Sequence, residues 1–187
     1  MAALALGDWA TGWPEYEWRY RTAQIPPRDL GRPAWDGRPP GDRVLLLHAE
    51  QGFGDAIQFC RYAPLVAALG KVVLEVPRPL AVLLSGLPGI ERVVVRGEPL
   101  PPFDLECALP SLPHRLGTTP ETVPAAIPYL TARPLRAAMW RRRLAALPGL
   151  KVGLCWAATP TPRPARGRTG AAPCRWRGWR RSPPRPA

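Results

Sequence analysis

The central part of the chain alternates between two patterns of hydrophobic positions. Short continuous apolar runs, which are typical of strands buried on both faces, occur at 43–49, 71–76, 90–97 and 103–109. The apolar spacing of amphipathic helices occurs at 55–70, 77–87 and 134–149, and Pro64 is expected to kink the first of these. Strands that alternate with helices predict βαβ units.

These units predict the fold class. Repeated βαβ units build a mostly parallel sheet with helices on both faces, which is a Rossmann-like α/β layer. A helical turn is expected at 111–117, an extended piece at 125–130 and a further strand at 151–157. The apolar stripe of the helix predicted at 134–149 consists of Leu135, Met139, Leu144 and Leu147, and Gly149 is expected to end that helix.

Two segments of different character precede this α/β domain, which we place at 43–157. Residues 1–24 carry an aromatic stripe at helical spacing, formed by Trp9, Trp13, Tyr16 and Trp18. One amphipathic helix or a helix pair fits it, with Pro14 in the first turn of a second helix. The stripe packs on a neighbouring helix or on the following domain, or it forms a partner-binding groove. Residues 25–42 are rich in proline and glycine and predict an extended surface linker with Trp35 as an anchor.

The last segment, residues 158–187, predicts a disordered tail. From Thr159 to the end there are seven prolines, eight arginines and no acidic residue. Such a segment buries too little apolar surface to offset its ordering entropy. Its composition is also typical of GC-rich coding sequence read in a shifted frame, which predicts that the native reading ends after about Trp156.

Charge and composition limit the functional classes. The chain has 187 residues and a formal net charge of +12, but residues 1–158 carry 18 Lys and Arg against 14 Asp and Glu. The basicity therefore belongs to the tail, and specific nucleic-acid binding is not expected. No apolar run is long enough to span a bilayer, and the N-terminus has no basic region of a secretory signal. We expect a cytoplasmic protein without a membrane span.

The four cysteines, at 60, 107, 155 and 174, are too far apart for a Cys-x-x-Cys site, and only two histidines are present. We therefore expect no metal site and reduced, mostly buried thiols.

Residues 48–59, HAEQGFGDAIQF, form the most informative joint of the chain, between the first strand and the first helix. Ligands of parallel α/β sheets bind at the carboxyl ends of the strands, where this joint lies. Gly52 and Gly54 allow positive φ angles and close approach of a ligand, and Asp55 lies in the first turn of the helix. The spacing lacks the third glycine of a dinucleotide fingerprint, so a glycine-rich turn with Asp55 as a helix cap remains an alternative. His48 either contacts a substrate or is a half-buried, hydrogen-bonded histidine.

Several segments, in order, resemble one protein family. GDWATGWPEYEWRYR, PAWDGRPPGDRVLLLHAEQGFGDAIQFCRYAPLVAALG, VVLEVPRPLAVLLSGLPGIERVV and GEPLPPFDLECALPSLPHRLGTT are similar to bacterial tetratricopeptide-repeat proteins with a heptosyltransferase-like glycosyltransferase region. The resemblance covers roughly residues 7–157. It implies a GT-B architecture, in which two Rossmann-like domains face each other, and it identifies residues 1–24 as the end of a helical repeat. This chain then corresponds to the acceptor-side domain, and KVGLCWA to the first strand of the donor domain.

The resemblance also implies roles for individual residues. Asp55 corresponds to the proposed catalytic base of heptosyltransferase-like enzymes, and Gln51, Gly52 and Gln58 shape the acceptor side. Together with Gly54 and His48 they form the predicted substrate site. The expected function is the acceptor half of a metal-independent sugar transferase that uses a nucleotide-sugar donor and a protein or glycan acceptor, inactive without its donor half. The alternative is a non-catalytic interaction module whose N-terminal helices bind a protein partner.

Overall fold

The computed structural model of the protein describes residues 2–22, 25 and 27–153. The described residues up to Ala146 form one compact unit, and residues 147–153, which fall outside that unit, contain no helix or strand. The strand predicted at 151–157 is therefore absent from its described part, 151–153, and the rest of it lies outside the described residues. The predicted disordered tail, 158–187, also lies outside them.

Four parallel strands form the sheet at the centre of the compact unit. They are β1 (Gly41–His48), β2 (Gly70–Val76), β3 (Arg92–Val95) and β4 (Leu105–Ala108). The strand order is β3-β2-β1-β4, and all three pairings are parallel. The Rossmann-like parallel α/β sheet predicted from the sequence is confirmed.

The apolar run of β1 explains its central position. Leu45, Leu46 and Leu47 are fully buried, because β1 is covered on both faces and paired on both edges. Leu45 and Leu47 point to one face, while Leu46 points to the other with Val73 and Val94. Continuous burial therefore requires a continuous apolar sequence rather than an alternating one.

Seven helices accompany the sheet in the described residues. They are α1 (Ala2–Ala5), α2 (Trp9–Tyr16), α3 (Phe53–Phe59), α4 (Ala63–Ala67), α5 (Arg78–Leu84), α6 (Leu112–Arg115) and α7 (Pro134–Ala145). Short 3-10 turns occupy Glu17–Arg21, Cys60–Tyr62 and Leu109–Ser111. The helix predicted at 55–70 is divided by one of these turns, and Pro64 lies in the first turn of α4, where its missing N–H costs no helical hydrogen bond.

The expectation about Pro14 is corrected. Pro14 lies inside α2 rather than at the start of a second helix, and α2 ends only two residues later. Its place in the last turn limits the disruption that a proline causes in a helix interior. The piece predicted at 125–130 joins no strand; Tyr129 instead donates a hydrogen bond to the carbonyl oxygen of Ile57 at 3.1 Å.

Among the described residues, only one face of the sheet packs against helices, which differs from the expectation of helices on both faces. On that face, buried residues of α3, α4, α5 and α6 pack with alternate residues of β1 and β2. The other face, centred on Leu46, packs against Leu30, Leu100 and Phe103, which lie in non-helical segments. The reason is the crossover from β3 to β4, residues 96–104, which contains no helix.

The proline-rich segment before β1 lies along the outer edge of β4. The Trp35 amide donates to the carbonyl oxygen of Glu106 at 2.8 Å, and the Glu106 amide donates to that of Pro33 at 3.1 Å. Trp35 itself is 1% exposed, and its Nε1 donates to the carbonyl oxygen of Arg38 at 2.7 Å. This segment, Pro33–Trp35, thus extends the sheet by a single bridge.

Helix α7 has no buried residue. Leu135 is 87% exposed, and Met139 and Leu144 are 46% and 41% exposed, so the predicted apolar stripe is largely open to solvent in the described part of the chain. The helix ends at Ala145, four residues before Gly149. No described helix has the length and apolar character needed to cross a bilayer.

Candidate functional site

The loop between β1 and α3 turns through Gln51 rather than through a glycine. Gln51 has a φ of 59°, whereas Gly52 is extended at −90° and Gly54 lies within α3. Neither Gly52 nor Gly54 therefore uses the positive φ that a glycine allows. A Cβ at Gly54 would meet no atom within 4 Å, so what this glycine provides is open space beside the helix start.

Asp55 caps its own helix. Its Oδ2 accepts a hydrogen bond from the Gly52 amide at 2.9 Å, one half of a capping box, and Gly52 has no side chain to make the other half. The described residues supply no hydrogen bond to the other carboxylate oxygen, Oδ1. Asp55 is half-buried, so it combines the capping role with an oxygen available to a ligand.

The structure divides the predicted site residues between two clefts. The first, which we call the strand-end cleft, has a volume of about 480 Å³ and includes His48, Glu50, Gln51, Arg96, Glu106 and Ser111 in its lining. The second, the aromatic cleft, has a volume of about 430 Å³ and includes Trp9, Trp13, Tyr16, Asp55, Gln58 and Phe59. Gly52 and Gly54 lie between them at the start of α3 and line neither.

The strand-end cleft lies at the carboxyl edge of the sheet. His48, the last residue of β1, is 5% exposed, and its Nε2 lies 2.8 Å from Glu106 Oε2. His48 is thus hydrogen-bonded, as the alternative to substrate contact has it, but it is buried rather than half-buried. In the adjacent strand Glu75 is fully buried and receives a hydrogen bond from Arg28 Nη2 at 3.0 Å. Arg96 donates to the carbonyl oxygen of Ala49, which fixes the start of the loop.

A buried arginine joins the N-terminal segment to this edge. Arg19 is 8% exposed, and its guanidinium donates to Glu50 Oε1 at 2.8 Å and to Ser111 Oγ at 2.6 Å. Tyr20 donates to Glu50 Oε2 at 2.6 Å, and Glu17 also pairs with Arg19. The Arg19 side chain thus binds Glu50 and Ser111, which lie 31 and 92 positions away from it in the sequence. We call these five residues the Arg19 network.

Burial and hydrogen bonding act in opposite directions within this network. Burial alone raises the pKa of Glu50, but hydrogen bonds from Arg19, Tyr20 and Gln51 outweigh it and hold that pKa below its usual value. Burial alone lowers the pKa of Arg19, but its bonds to Glu50 and Glu17 and the nearby charges raise it overall. The network therefore keeps the Glu50 carboxylate, which lines the strand-end cleft, charged through its bond to the charged Arg19 guanidinium.

The aromatic cleft lies between α2 and α3. Trp9, Trp13 and Tyr16 occupy positions i, i+4 and i+7 of α2, so they share one face. The Trp9 and Trp13 rings meet edge to face with centroids 5.7 Å apart, and Trp13 meets Phe59 of α3 at 6.4 Å. The N-terminal aromatic stripe therefore packs on the α/β domain itself, except for Trp18, which is 60% exposed.

Neither cleft contains a metal-binding arrangement. Within the described residues, no group of three or more His, Cys, Asp or Glu side chains converges as metal ligands would. Of the cysteines, Cys60 and Cys107 are buried and free, and burial raises the pKa of Cys60 to about 11. Cys155 and Cys174 lie outside the described residues.

The partners that organise the strand-end cleft, Glu106, Glu75 and Arg19, are not among the residues predicted from the sequence. Glu106 and Glu75 are single acidic residues inside otherwise apolar strands, and this departure from the strand pattern is a usable signal. Arg19 offers no such signal, because in sequence it is one of several charged residues in an aromatic, polar stretch. Its burial depends on contacts made across the fold.

Comparison with known proteins adds no relative. No protein-family model matches the chain, and no curated protein and no solved structure is significantly similar to it.

Proposed function

We propose that the chain is the acceptor-side domain of a nucleotide-sugar-dependent glycosyltransferase of the heptosyltransferase-like kind. The carrying observation is the placement of Asp55 and Gln58 on one face of α3, where both line the aromatic cleft next to the carboxyl edge of a parallel sheet. A carboxylate oxygen, a side-chain amide and aromatic rings together suit a guest with hydroxyl groups and an apolar ring face. The family resemblance of residues 7–157 supports the same reading.

In the proposed reaction, Asp55 acts as a general base. The oxygen of an acceptor hydroxyl forms a bond to the anomeric carbon of the donor sugar, and the bond between that carbon and the nucleotide phosphate breaks. The hydroxyl proton passes to Asp55 Oδ1, which the described residues leave without a hydrogen bond, while Oδ2 keeps its bond to the Gly52 amide. The cap thereby fixes the orientation of the carboxylate, as a general base requires.

The remaining predicted residues take supporting roles in this proposal. Gln58 is exposed on the same helix face and donates or accepts a hydrogen bond to an acceptor hydroxyl. Gln51 donates to Tyr16 OH at 2.9 Å and so links the strand-end loop to the aromatic wall. His48, held by Glu106, supports the loop from below. The family resemblance implies that the donor nucleotide-sugar binds to a second domain, whose first strand KVGLCWA resembles.

Sugar transfer by a completed protein tests this proposal. The chain is fused through residue 153 to a donor-binding domain of a heptosyltransferase-like enzyme and assayed with UDP- and ADP-sugars on a glycan array. Asp55→Asn keeps an oxygen for the helix cap but loses proton acceptance, so turnover should fall by about 100- to 10,000-fold.

Asp8→Asn is the matched control, because Asp8 caps α2 by accepting from the Thr11 amide at 3.1 Å and does not line the aromatic cleft. Turnover by the Asp55→Asn fusion equal to that of the Asp8→Asn fusion would contradict the role of Asp55. Tight binding of a nucleotide-sugar by the chain alone would contradict its assignment to the acceptor side.

A second candidate function is a protein-interaction module without catalysis. The exposed apolar residues of α7 favour it, since Leu135, Trp140 and Leu144 are 87%, 51% and 41% exposed. An unchanged catalytic assay for Asp55→Asn, together with loss of partner binding for Leu135→Asp, would support this alternative.

A further inference from the structure

The acidic side chains that line the strand-end cleft all have close partners. They are Glu17, Glu50 and Glu106. Glu17 and Glu50 accept hydrogen bonds from Arg19 at 2.5 Å and 2.8 Å. Glu106 Oε2 lies 2.8 Å from His48 Nε2. Because each acid is already paired, none of them presents an unpaired carboxylate to a molecule that enters the cleft.

The hydroxyl and amide donors of the lining are used within the protein as well. Tyr20 OH and Gln51 Nε2 donate to Glu50 at 2.6 Å and 3.0 Å. Ser111 Oγ donates to Glu17 at 3.1 Å. These groups therefore hold the lining together, and the donors that remain for a ligand belong to arginines.

Two of the three arginines in the lining keep most of their donors. The described residues give Arg115 no hydrogen bond, since its Nε is buried without an acceptor and its Nη2 lies 3.9 Å from Glu17 Oε2. Arg96 is exposed and donates through one Nη to the Ala49 carbonyl oxygen. The third, Arg28, is bound through both Nη groups to a buried carboxylate. Because each guanidinium has five N–H groups, the free capacity of the cleft is mainly that of a donor.

The fold brings Arg96 and Arg115 to the cleft from different strands. Arg96 directly follows β3, and its guanidinium reaches Ala49, directly after the carboxyl end of β1. Arg115 is the last residue of α6, which follows β4. The strand order β3-β2-β1-β4 thus places positive side chains from both sides at the end of β1, the edge where parallel sheets bind ligands.

We propose that the strand-end cleft binds a small organic molecule through an oxyanion group, a carboxylate or a phosphate ester, held by Arg96 and Arg115. Such a group supplies several acceptors, and guanidinium groups bind it through paired hydrogen bonds. The volume of about 480 Å³ falls in the range of roughly 300–1,000 Å³ that is usual for small-molecule sites. Pro27, Ala34 and Cys107 add apolar contacts for the rest of the molecule. This site is separate from the aromatic cleft and does not depend on the proposed glycosyltransferase function.

NMR of the arginine Nε–H groups in the full 187-residue chain tests the site. Benzoate, phenyl phosphate and inorganic phosphate are the probes, each compared with sodium chloride at the same ionic strength. Benzyl alcohol, which has the ring without the charge, is the control compound. The Arg115 signal is assigned by its loss in Arg115→Lys. We expect at least one organic anion to move this signal saturably and to bind more tightly than inorganic phosphate, while benzyl alcohol leaves it unchanged.

Arginine variants separate the site from general attraction to a basic chain. Calorimetric titration of Arg115→Gln and of Arg96→Gln should show binding of the organic anion weakened by about tenfold or more, because a hydrogen bond between charged groups is lost. Arg115→Lys keeps the charge without the planar guanidinium and should lose less than Arg115→Gln. Arg38→Gln is the matched control and should bind like the wild type, because the Arg38 side chain is 86% exposed and does not line the cleft.

The relative affinity of benzoate and phenyl phosphate identifies the oxyanion, and tighter binding of either one supports the site. The site is rejected if neither organic anion moves the Arg115 signal beyond the change that chloride causes, or if benzyl alcohol binds equally well. It is also rejected if Arg115→Gln or Arg96→Gln binds like Arg38→Gln. Circular dichroism shows whether each variant keeps the fold, and Arg115→Lys supplies the comparison if Arg115→Gln does not.

Discussion

Replacement of Arg19 by methionine should destabilise the fold strongly. The Arg19 side chain is 6% exposed and its partners Glu50 and Glu17 are 11% and 21% exposed. Methionine fills much of the volume but leaves the largely buried Glu50 without its cation, while Glu17 keeps only a longer ion pair with Arg115 at 3.9 Å. Removal of one partner from a buried ion pair costs about 3–5 kcal/mol, and because Glu17 keeps some contact with water we expect the lower end, about 3 kcal/mol.

Urea unfolding followed by tryptophan fluorescence measures this loss. With a denaturant slope of about 2 kcal/mol per molar, a loss of about 3 kcal/mol lowers the unfolding midpoint by about 1.5 M. Arg21→Met is the matched control, because Arg21 is exposed and its guanidinium lies 4.3 Å from the centre of the Trp18 ring. That change should cost less than about 1 kcal/mol.

A double-mutant cycle with Glu50→Gln assigns the loss to the ion pair. If Arg19 acts mainly through Glu50, the double variant should be more stable than the sum of the two single losses implies. Equal midpoints for Arg19→Met and Arg21→Met would refute the reasoning. So would strict additivity in the cycle, since the two side chains would then be energetically independent.

Two further predictions concern acid stability and one glycine. The pKa of Glu50 is lower in the folded chain than in the unfolded one, so its stabilising effect is complete above about pH 4.3 and disappears as pH falls through the folded value. Urea midpoints measured across this range should fall more steeply for the wild type than for Glu50→Gln; parallel curves would contradict this. Gly37 has a φ of 96°, and a Cβ there would lie 2.2 Å from the Arg115 carbonyl oxygen. Thermal unfolding should therefore show Gly37→Ala to be less stable than Gly97→Ala, which has a φ of 92° but open space, by about 1 kcal/mol or more.

The central sheet could be predicted because its signal is local. The apolar runs around Leu45 and Val73 are long enough to require burial on both faces, and the helical spacing between them requires crossovers. The uncovered helix α7 could not be predicted, since its stripe from Leu135 to Leu144 resembles that of a packed helix. Periodicity shows that a face is apolar, but the covering partner is decided elsewhere in the chain.

The candidate site could be predicted only in part, for a related reason. Asp55 and Gln58 belong to one short segment, and helical spacing alone places them on one face of α3. The aromatic wall opposite them comes from a segment about 40 residues earlier, so its approach depends on tertiary packing. The sequence places His48 in the same site as Asp55, yet His48 lines the strand-end cleft and Asp55 the aromatic cleft.

The bridge between the segment Pro33–Trp35 and β4 restricts the edge at which a further strand can be added to this sheet. On that side, the backbone groups of Glu106 are already satisfied, and a proline offers no amide to an incoming strand. To add a strand beside β4, a neighbouring chain must first displace the segment Pro33–Trp35, which the buried Trp35 indole anchors. Association of two copies by strand pairing at the β4 edge of the sheet is thereby suppressed. Any assembly by strand addition is directed to the opposite edge, along β3.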